Sequence, residues 1–214
     1  MDHLFKVNKD YNYYKNAISM LVNYRKYKVD KQLNEDEFMK KLLSDQFVLI
    51  KCVASEDIKI DVFYIYSKAT ITTKAQDFRH LLSNPEKNII IIVPNPFKNN
   101  ILTVIREEYK GYKIQQIPHY IFTNDATKGP NCYPHRIISD KERFEILERE
   151  KIAPEKMPFI TFNDPQCIYI DAKIGDILEI ATFSEVAGKR ITYRIVQPEF
   201  KIQDDEDEED ENDE

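Results

Sequence analysis

Asp57 and Lys59 are the pair of residues in this sequence whose types and spacing come nearest to a catalytic site. A carboxylate followed two positions later by a lysine at a strand entrance is typical of metal-dependent nucleases, in which the carboxylate holds the metal ion and the ammonium group orients water. Such a site needs another carboxylate, and only Asp45 and Asp61 are near in sequence. Because Asp57 falls in a predicted hairpin turn, a nuclease is kept only as an alternative interpretation.

Cys132 and His135 have the Cys-x-x-His spacing of a zinc-ligand pair. Structural zinc needs four ligands, and the sequence offers only His119 nearby and no second pair. Cys132 or Cys167 could in principle act as the nucleophile of a cysteine–histidine pair. Cys52 lies in an apolar run, which is typical of a core position. We therefore expect no catalytic residue, no metal, no cofactor and no small-molecule substrate.

The composition of the chain excludes several classes of protein. Only 4 of the 214 residues are glycine, and no two of them stand close enough to form a phosphate-binding loop. The longest aliphatic run, residues 89–93, is far shorter than the roughly 20 residues of a membrane span, and the N-terminus lacks a signal-peptide pattern. Three widely spaced cysteines fit reduced thiols, so we expect an intracellular protein without a membrane segment.

Charge is distributed unevenly along the sequence. The formal net charge is −6, but residues 204–214 hold ten carboxylates and no basic residue, and the rest of the chain has 31 basic against 27 acidic residues. So many like charges cannot pack together, which predicts a disordered acidic tail on a mildly basic body. Three roles for the tail stay open: a solvating extension, contact with a basic partner, and competition with DNA for a basic face.

The first 123 residues alternate helix and strand patterns, which predicts an α/β domain. The helix patterns cover residues 11–28, 34–43, 73–83 and 95–109. Asn34 with Glu37 predicts a capping box, and Asn95 with Pro96 predicts a cap and first residue for the last of these helices. The strand patterns cover residues 47–53, 58–66, 89–93, 112–118 and 120–123.

A polar linker at residues 124–133 separates this domain from a smaller module over residues 134–203. In the module, Ser139 and Glu142 predict a capping box that opens a helix ending near residue 150. Two short strands at residues 177–182 and 190–196 follow, so the module is predicted to be α+β with a short sheet.

The module also resembles a known family through a series of residues that keeps its order and spacing. The matching residues are Pro134-His135, Ile137-Ile138-Ser139, the charged helix 140–149, Met157-Pro158-Phe159-Ile160, Asp164-Pro165, Gly175-Asp176-Ile177-Leu178-Glu179-Ile180, Ser184-Glu185, Ala187-Gly188 and Tyr193-Arg194-Ile195-Val196. In these residues it is similar to the fifth subunit shared by eukaryotic nuclear RNA polymerases and to the archaeal counterpart of that subunit. The preceding residues match the eukaryotic form in the order of their elements, whereas the archaeal protein is similar to the second module alone. The Lys/Ile/Asn bias and the acidic tail fit a version from a large DNA virus.

This resemblance implies a non-catalytic subunit of a multisubunit DNA-dependent RNA polymerase. The module at 134–203 would dock on the largest polymerase subunit among the other subunits, and the domain at 1–123 would be a jaw in weak contact with downstream double-stranded DNA. The candidate partner contacts are His135, Pro165, Ser184, Gly188, Tyr193 and Arg194. Since phosphate contacts need lysine or arginine, the candidate DNA-facing residues are Lys15, Arg25, Lys26, Lys28 and Lys98. The implied location is the nucleus, or a cytoplasmic replication site and the virion for a viral version.

A third interpretation is a free-standing, acidic-tailed chaperone for basic partners. The tail supports this interpretation, and the polymerase-like module argues against it. Co-purification with large polymerase chains distinguishes the two, and a metal-dependent cleavage assay with Asp57 replaced tests the nuclease.

Overall fold

A mixed five-stranded sheet forms the centre of the N-terminal part of this protein. The computed structural model describes residues 2–55, 58–67, 86–97, 99–128, 132–184 and 188–198. The strands of the sheet, in the order β1-β2-β3-β4-β5, are β1 Lys28–Val29, β2 Phe47–Val53, β3 Lys59–Ile65, β4 Asn88–Val93 and β5 Lys113–Pro118. The first three strands pair antiparallel, and β3, β4 and β5 pair parallel. The predicted hairpin of β2 and β3 and the strands at 89–93 and 112–118 are confirmed.

Both faces of this sheet are covered, which explains the uninterrupted apolar run of β4. Ile90 and Ile92 pack in a cluster with residues of α1 (Asp2–Ser19) and α2 (Glu35–Asp45). Ile89 and Ile91 pack on the opposite face with residues of α3 (Asn99–Glu108). The side chains of β4 thus alternate between two hydrophobic clusters, as the period of a strand requires.

The helices agree with the sequence most closely where a capping box defines them. Asn34 caps α2, because its side-chain oxygen accepts from the Glu37 N–H at 2.9 Å while the Glu37 carboxylate accepts from the Asn34 N–H at 3.4 Å. The first helix differs from its prediction: α1 begins at Asp2 and passes into a π-helical turn, Met20–Tyr24. The Arg25 N–H closes that turn on the Met20 carbonyl, and Lys28 already belongs to β1.

Two predictions in the N-terminal part were wrong. Helix α3 begins at Asn99 rather than at Pro96, and the preceding Phe97 N–H instead donates to the Gln116 side chain at 2.9 Å. The predicted strand at 120–123 is a 3₁₀ turn, His119–Phe122, whose Phe122 carbonyl accepts from the Asn16 side chain of α1 at 2.9 Å. The predicted helix at 73–83 and the acidic tail lie outside the described residues.

The C-terminal part forms a second sheet of four strands in the order β6-β8-β9-β7. These strands are β6 His135–Ile137, β7 Phe159–Thr161, β8 Ile177–Ser184 and β9 Gly188–Gln197. Helix α4 (Asp140–Glu150) packs Ile146 against Ile177 and Ile195 on one face, and Leu178 lies in a separate cluster on the other. Both parts of the chain therefore mix helices with a sheet, as predicted.

The short helix α5 (Pro165–Tyr169) connects the two parts. Asp164 caps α5 by accepting from the Gln166 N–H at 2.8 Å. Cys167 packs in the C-terminal core, whereas Ile168 and Tyr169 pack in the core of α1 and the first sheet. One helical segment thus contributes to the hydrophobic clusters of both parts.

Candidate functional site

Exposed apolar side chains are concentrated in the C-terminal part. Ten large hydrophobic side chains are exposed among the described residues, and seven of them lie there: Ile137, Phe144, Ile152, Phe159, Ile174, Phe183 and Ile191. Exposed hydrophobic side chains that lie close together mark interaction surfaces, whereas isolated ones are ordinary. The C-terminal sheet is therefore the first place to look for a site of contact with another protein.

Strands β8 and β9 extend beyond their neighbours at one end of this sheet. Strand β6 pairs with β8 only up to Ile180, and β7 pairs only with the far end of β9. Residues 181–184 and 188–191, which we call the ribbon tip, therefore pair only with each other among the described strands. Phe183 is 72% exposed and Ile191 is 44% exposed. The register Ala181↔Ile191 and Phe183↔Lys189 places both apolar side chains on one face of the ribbon tip.

Two of the predicted partner contacts lie in the ribbon tip. Ser184 pairs with Gly188 at the end of the ladder, and the Ser184 side chain is not among those described. Gly188 has a φ of +67°, a backbone conformation that other residues rarely adopt, so its glycine is required by the fold. Ser184 and Gly188 thus form the last pair of the β8–β9 ladder, which holds the strand ends that carry Phe183 and Ile191.

Three further predicted contacts lie in the middle of the sheet, with Tyr193 on one face and His135 and Arg194 on the other. His135, Tyr193 and Arg194 pair with three consecutive residues of β8, namely Ile180, Glu179 and Leu178. Tyr193 is half-buried with the Arg149 guanidinium 5.9 Å from its ring centroid, and Arg194 is exposed. His135 Nδ1 lies 2.7 Å from the Tyr133 carbonyl oxygen. Pro165 lies apart from them as the exposed first residue of α5.

The two exposed apolar residues of the ribbon tip were not predicted from the sequence. Phe183 and Ile191 look like ordinary strand residues, because an apolar residue in a strand predicts burial. Their exposure depends on β6 and β7 being shorter than β8 and β9, and pairing between distant segments is not visible in local periodicity.

Arg136 supports the sheet through two carboxylates that local sequence patterns do not connect with it. Its guanidinium lies 2.9 Å from Glu142 of α4 and 2.9 Å from Glu179 of β8. Donation from the Ser139 N–H and hydroxyl, together with Arg136, lowers the pKa of Glu142 to about 2. The predicted capping box of α4 is therefore confirmed and is tied to the sheet by an ion pair.

Replacing the cap of α4 should weaken this part measurably. We expect Ser139→Ala to lower the free energy of unfolding by about 1 kcal/mol, since the helix loses a side-chain acceptor for an N-terminal N–H. Urea unfolding measures the change, and Ser44→Ala, at an exposed serine inside α2, is the control. Equal effects of the two substitutions would contradict a specific role for the cap.

The predicted DNA-facing residues differ in their exposure to solvent. Lys15 is exposed on α1 with its ammonium 5.2 Å from the Tyr11 ring centroid, and Lys28 is exposed in β1. Lys26 is exposed, and its ammonium donates to the Asn23 carbonyl. Lys98 lies outside the described residues. The prediction that Arg25 faces DNA was wrong, because its side chain is only 1% exposed.

The described residues also bear on the chemistry that the sequence left open. They contain no group of three or more His, Cys, Asp and Glu residues that could hold a metal ion. Of the two further carboxylates considered for a nuclease, Asp45 is exposed at the end of α2, and Asp61 is buried and accepts from the Glu86 N–H at 3.0 Å. Asp57 lies outside the described residues. Among the described helices, none is long and apolar enough to cross a membrane. The burial of Asp61 and its bond to a backbone N–H give the nuclease alternative no support.

Comparison with known proteins agrees with this organisation. The family described as the C-terminal domain of RNA polymerase Rpb5 matches residues 127–196. The DNA-directed RNA polymerase RPB5 homolog of African swine fever virus (isolate Warthog/Namibia/Wart80/1980) is 26% identical over 187 residues, which cover 82% of this chain and 91% of that protein. Subunit Rpo5 of the DNA-directed RNA polymerase of Pyrococcus horikoshii is 44% identical over 62 residues, 29% of this chain and 76% of that protein. The subunit rpabc1 of RNA polymerases I, II and III of Dictyostelium discoideum is 26% identical over 159 residues, 72% of this chain and 80% of that protein.

Proposed function

Because this chain belongs to the Rpb5 family of DNA-directed RNA polymerase subunits, we propose that its C-terminal module, residues 134–203, docks it on the largest subunit of such a polymerase. The protein is a structural, non-catalytic subunit that takes part in transcription. Its N-terminal domain, residues 1–123, is the jaw, held next to downstream double-stranded DNA.

The single observation that carries the docking proposal is the exposed apolar surface of the C-terminal part. Desolvation of aromatic and large aliphatic side chains supplies most of the binding energy at protein interfaces. Phe183 and Ile191 present such side chains on one face of a ribbon held by a paired ladder. A ribbon that is already ordered loses little conformational entropy on binding. Tyr193 continues the same face of the sheet, whereas His135 and Arg194 belong to the opposite face. Pro165, Ser184 and Gly188 are turn positions.

Contact with DNA is the weaker part of the proposal and rests on a few lysines. Lys15, Lys26, Lys28 and Lys98 would meet phosphates, which positions a protein on a duplex without reading its sequence. With a net charge of +4 outside residues 204–214, the body binds DNA weakly by itself. Contact with the duplex therefore depends on the assembled polymerase.

The location follows from the polymerase. Relatives from African swine fever virus favour the viral version, which works at a cytoplasmic replication site and is packaged in the virion; a cellular version works in the nucleus. In either case the protein acts inside the cell.

Native affinity purification of the tagged protein tests the proposal. We expect two very large chains to co-purify with the wild-type protein in near-equal amounts. Phe183→Asp should reduce their recovery about tenfold or more, because it places a charge where an apolar contact is buried. The matched control is Leu43→Asp, at a 60% exposed leucine of α2 in the N-terminal part.

The controls make a negative result informative. Circular dichroism checks that Phe183→Asp is folded, as we expect for an exposed position. Recovery of the wild-type protein alone at moderate salt, from a source with intact polymerase, would overturn the docking proposal. Equal recovery with Phe183→Asp and Leu43→Asp would place the docking surface elsewhere on the module.

A further inference from the structure

Arg25 is a buried cation placed where the two parts of the molecule meet. Its side chain is 1% exposed, although it follows directly on the π-helical turn that ends the first helical segment. One terminal nitrogen donates to the Gln115 side chain of β5 at 2.7 Å. The other donates to the Ile168 carbonyl of α5 at 2.6 Å, and the guanidinium lies 3.5 Å from the Asp171 carboxylate. One side chain thus links three segments distant in sequence.

The segment around α5 is shaped to receive this guanidinium. Asp171 has a φ of +58°, a left-handed conformation that directs the chain out of α5 beside Arg25. Tyr169 packs edge-on against Tyr24 with ring centroids 5.4 Å apart. On the far side of this contact, the Gln166 side chain donates to the Ala126 carbonyl. The Arg25 contacts therefore add a buried charge and directed hydrogen bonds to the packing of Tyr169 on Tyr24.

An open cleft of about 550 Å³ lies beside this junction. Its lining includes the first residues of β3, β4 and β5, among them Ile60 and Lys113, together with Phe162 and Lys173 from the C-terminal part. Arg25 and Asp171 line the same cleft. Because the contact between the parts is bordered by open space, the two parts have room to rotate if it weakens.

We propose that Arg25 is a positioning residue that fixes the orientation of the C-terminal module relative to the N-terminal sheet. A guanidinium held by three acceptors in fixed directions resists rotation, whereas apolar contacts tolerate sliding. The consequence for transcription rests on the proposed function: a module docked on the polymerase then points the jaw in one direction. Without Arg25 the jaw samples a range of directions although docking is unchanged.

Double electron–electron resonance on the isolated full chain tests this inference. Spin labels are attached to Leu43→Cys in α2 and Glu148→Cys in α4, two exposed positions on either side of the junction. The half-buried Cys132 is replaced by serine. The remaining thiols, Cys52 and Cys167, are buried, and burial raises the pKa of each to about 12, which keeps them unreactive.

We expect a single narrow distance distribution in the wild-type background and a broader, shifted one in Arg25→Met. The variant should still fold, because Asp171 keeps its ion pair with Lys173 at 2.6 Å and no buried carboxylate loses its only partner. Asp171→Asn is the second variant, since asparagine tolerates the left-handed conformation, and it should broaden the distribution less. Lys28→Met, which removes an exposed charge nearby, is the control and should leave the distribution unchanged.

The outcomes separate positioning from simple stabilisation. If urea unfolding shows Arg25→Met to be destabilised while its distance distribution matches the wild type, Arg25 only stabilises the fold and the inference is wrong. The inference is also wrong if Arg25→Met does not fold and the distance distribution of Asp171→Asn matches that of the wild type. The resonance experiment needs no polymerase, so a broadened distribution supports the inference even if co-purification fails and the docking proposal falls.

Discussion

Phe38→Ala is expected to lower the free energy of unfolding by about 3–5 kcal/mol, the largest single-residue effect that we predict for this chain. Phe38 of α2 is fully buried. Its ring centroid lies 4.6 Å from that of Tyr14, 5.6 Å from that of Tyr11 and 5.5 Å from that of Tyr64. Removing the ring leaves a cavity among three aromatic rings on α1 and β3, and stiff rings cannot collapse to fill it.

The exposed Phe144 of α4 offers a matched control, because the same substitution there removes the same atoms. Phe144 is 74% exposed, so Phe144→Ala should change the free energy of unfolding by less than about 0.5 kcal/mol. Urea unfolding followed by circular dichroism measures both variants, and Phe38→Leu should fall between them. Comparable effects of Phe38→Ala and Phe144→Ala would contradict the aromatic cluster as the main support of α2.

Features set by neighbouring residues could be predicted from the sequence. Both capping boxes, Asn34 with Glu37 and Ser139 with Glu142, formed as predicted because each is complete within four residues. The apolar run of β4 and the hairpin of β2 and β3 were predicted for the same reason: a period of two or an unbroken run is visible locally.

Features that depend on distant residues could not be predicted. Residues 120–123 have strand-like composition, yet they form a 3₁₀ turn whose Phe122 carbonyl is bound by Asn16, more than a hundred positions earlier. Arg25 looks like a surface cation from its sequence neighbours, and its burial follows from acceptors at positions 115, 168 and 171. Tertiary contacts outweigh local pattern at both places.

In the candidate site, too, features set by neighbouring residues could be predicted and features set by distant residues could not. The resemblance identified the module and its turn residues, because glycines and prolines keep their spacing when a backbone is shared. It did not identify Phe183 and Ile191, whose exposure depends on where the neighbouring strands end. The positions of turns were therefore predicted better than the exposure of side chains.

The second large effect concerns His119, a histidine enclosed in the N-terminal core. Its ring is 4% exposed, stacks on Tyr64 with centroids 4.8 Å apart, and lies 5.6 Å from Tyr13. Its Nε2 is buried without a hydrogen-bond partner among the described residues. Burial lowers the pKa of His119 from 6.5 to about 4, although backbone groups of Ile65 and Ile92 act in the opposite direction.

This shift predicts a loss of stability in mild acid. Above pH 6.5 the imidazole is neutral in both states and has no effect on the free energy of unfolding. Between pH 6.5 and about 4 the unfolded chain binds a proton that the folded protein does not, so stability falls as the pH falls. The total contribution is about 3 kcal/mol, and it is complete once the pH is below the folded-state pKa.

Asp10, on the other side of Tyr64, acts in the opposite direction and must be separated from His119. Its carboxylate accepts from the Tyr64 hydroxyl at 3.0 Å and from the Ser67 hydroxyl at 2.8 Å, and burial raises its pKa. Because the pKa of this carboxyl is raised in the folded protein, the folded state binds its proton more readily than the unfolded chain does. The contribution of Asp10 to the free energy of unfolding therefore falls as the pH rises. The comparison of wild type with His119→Phe at each pH cancels the effect of Asp10, because both proteins retain it.

We therefore expect the difference in unfolding free energy between wild type and His119→Phe to change by about 3 kcal/mol between pH 7 and pH 4, in favour of the variant in acid. Phenylalanine keeps the stacking on Tyr64 and cannot bind the proton. Tyr120→Phe, at a 62% exposed residue of the same 3₁₀ turn, controls for disturbance of the turn and should keep the wild-type slope. Parallel pH profiles for wild type and His119→Phe would mean that the imidazole takes up its proton in the folded state as readily as in the unfolded chain.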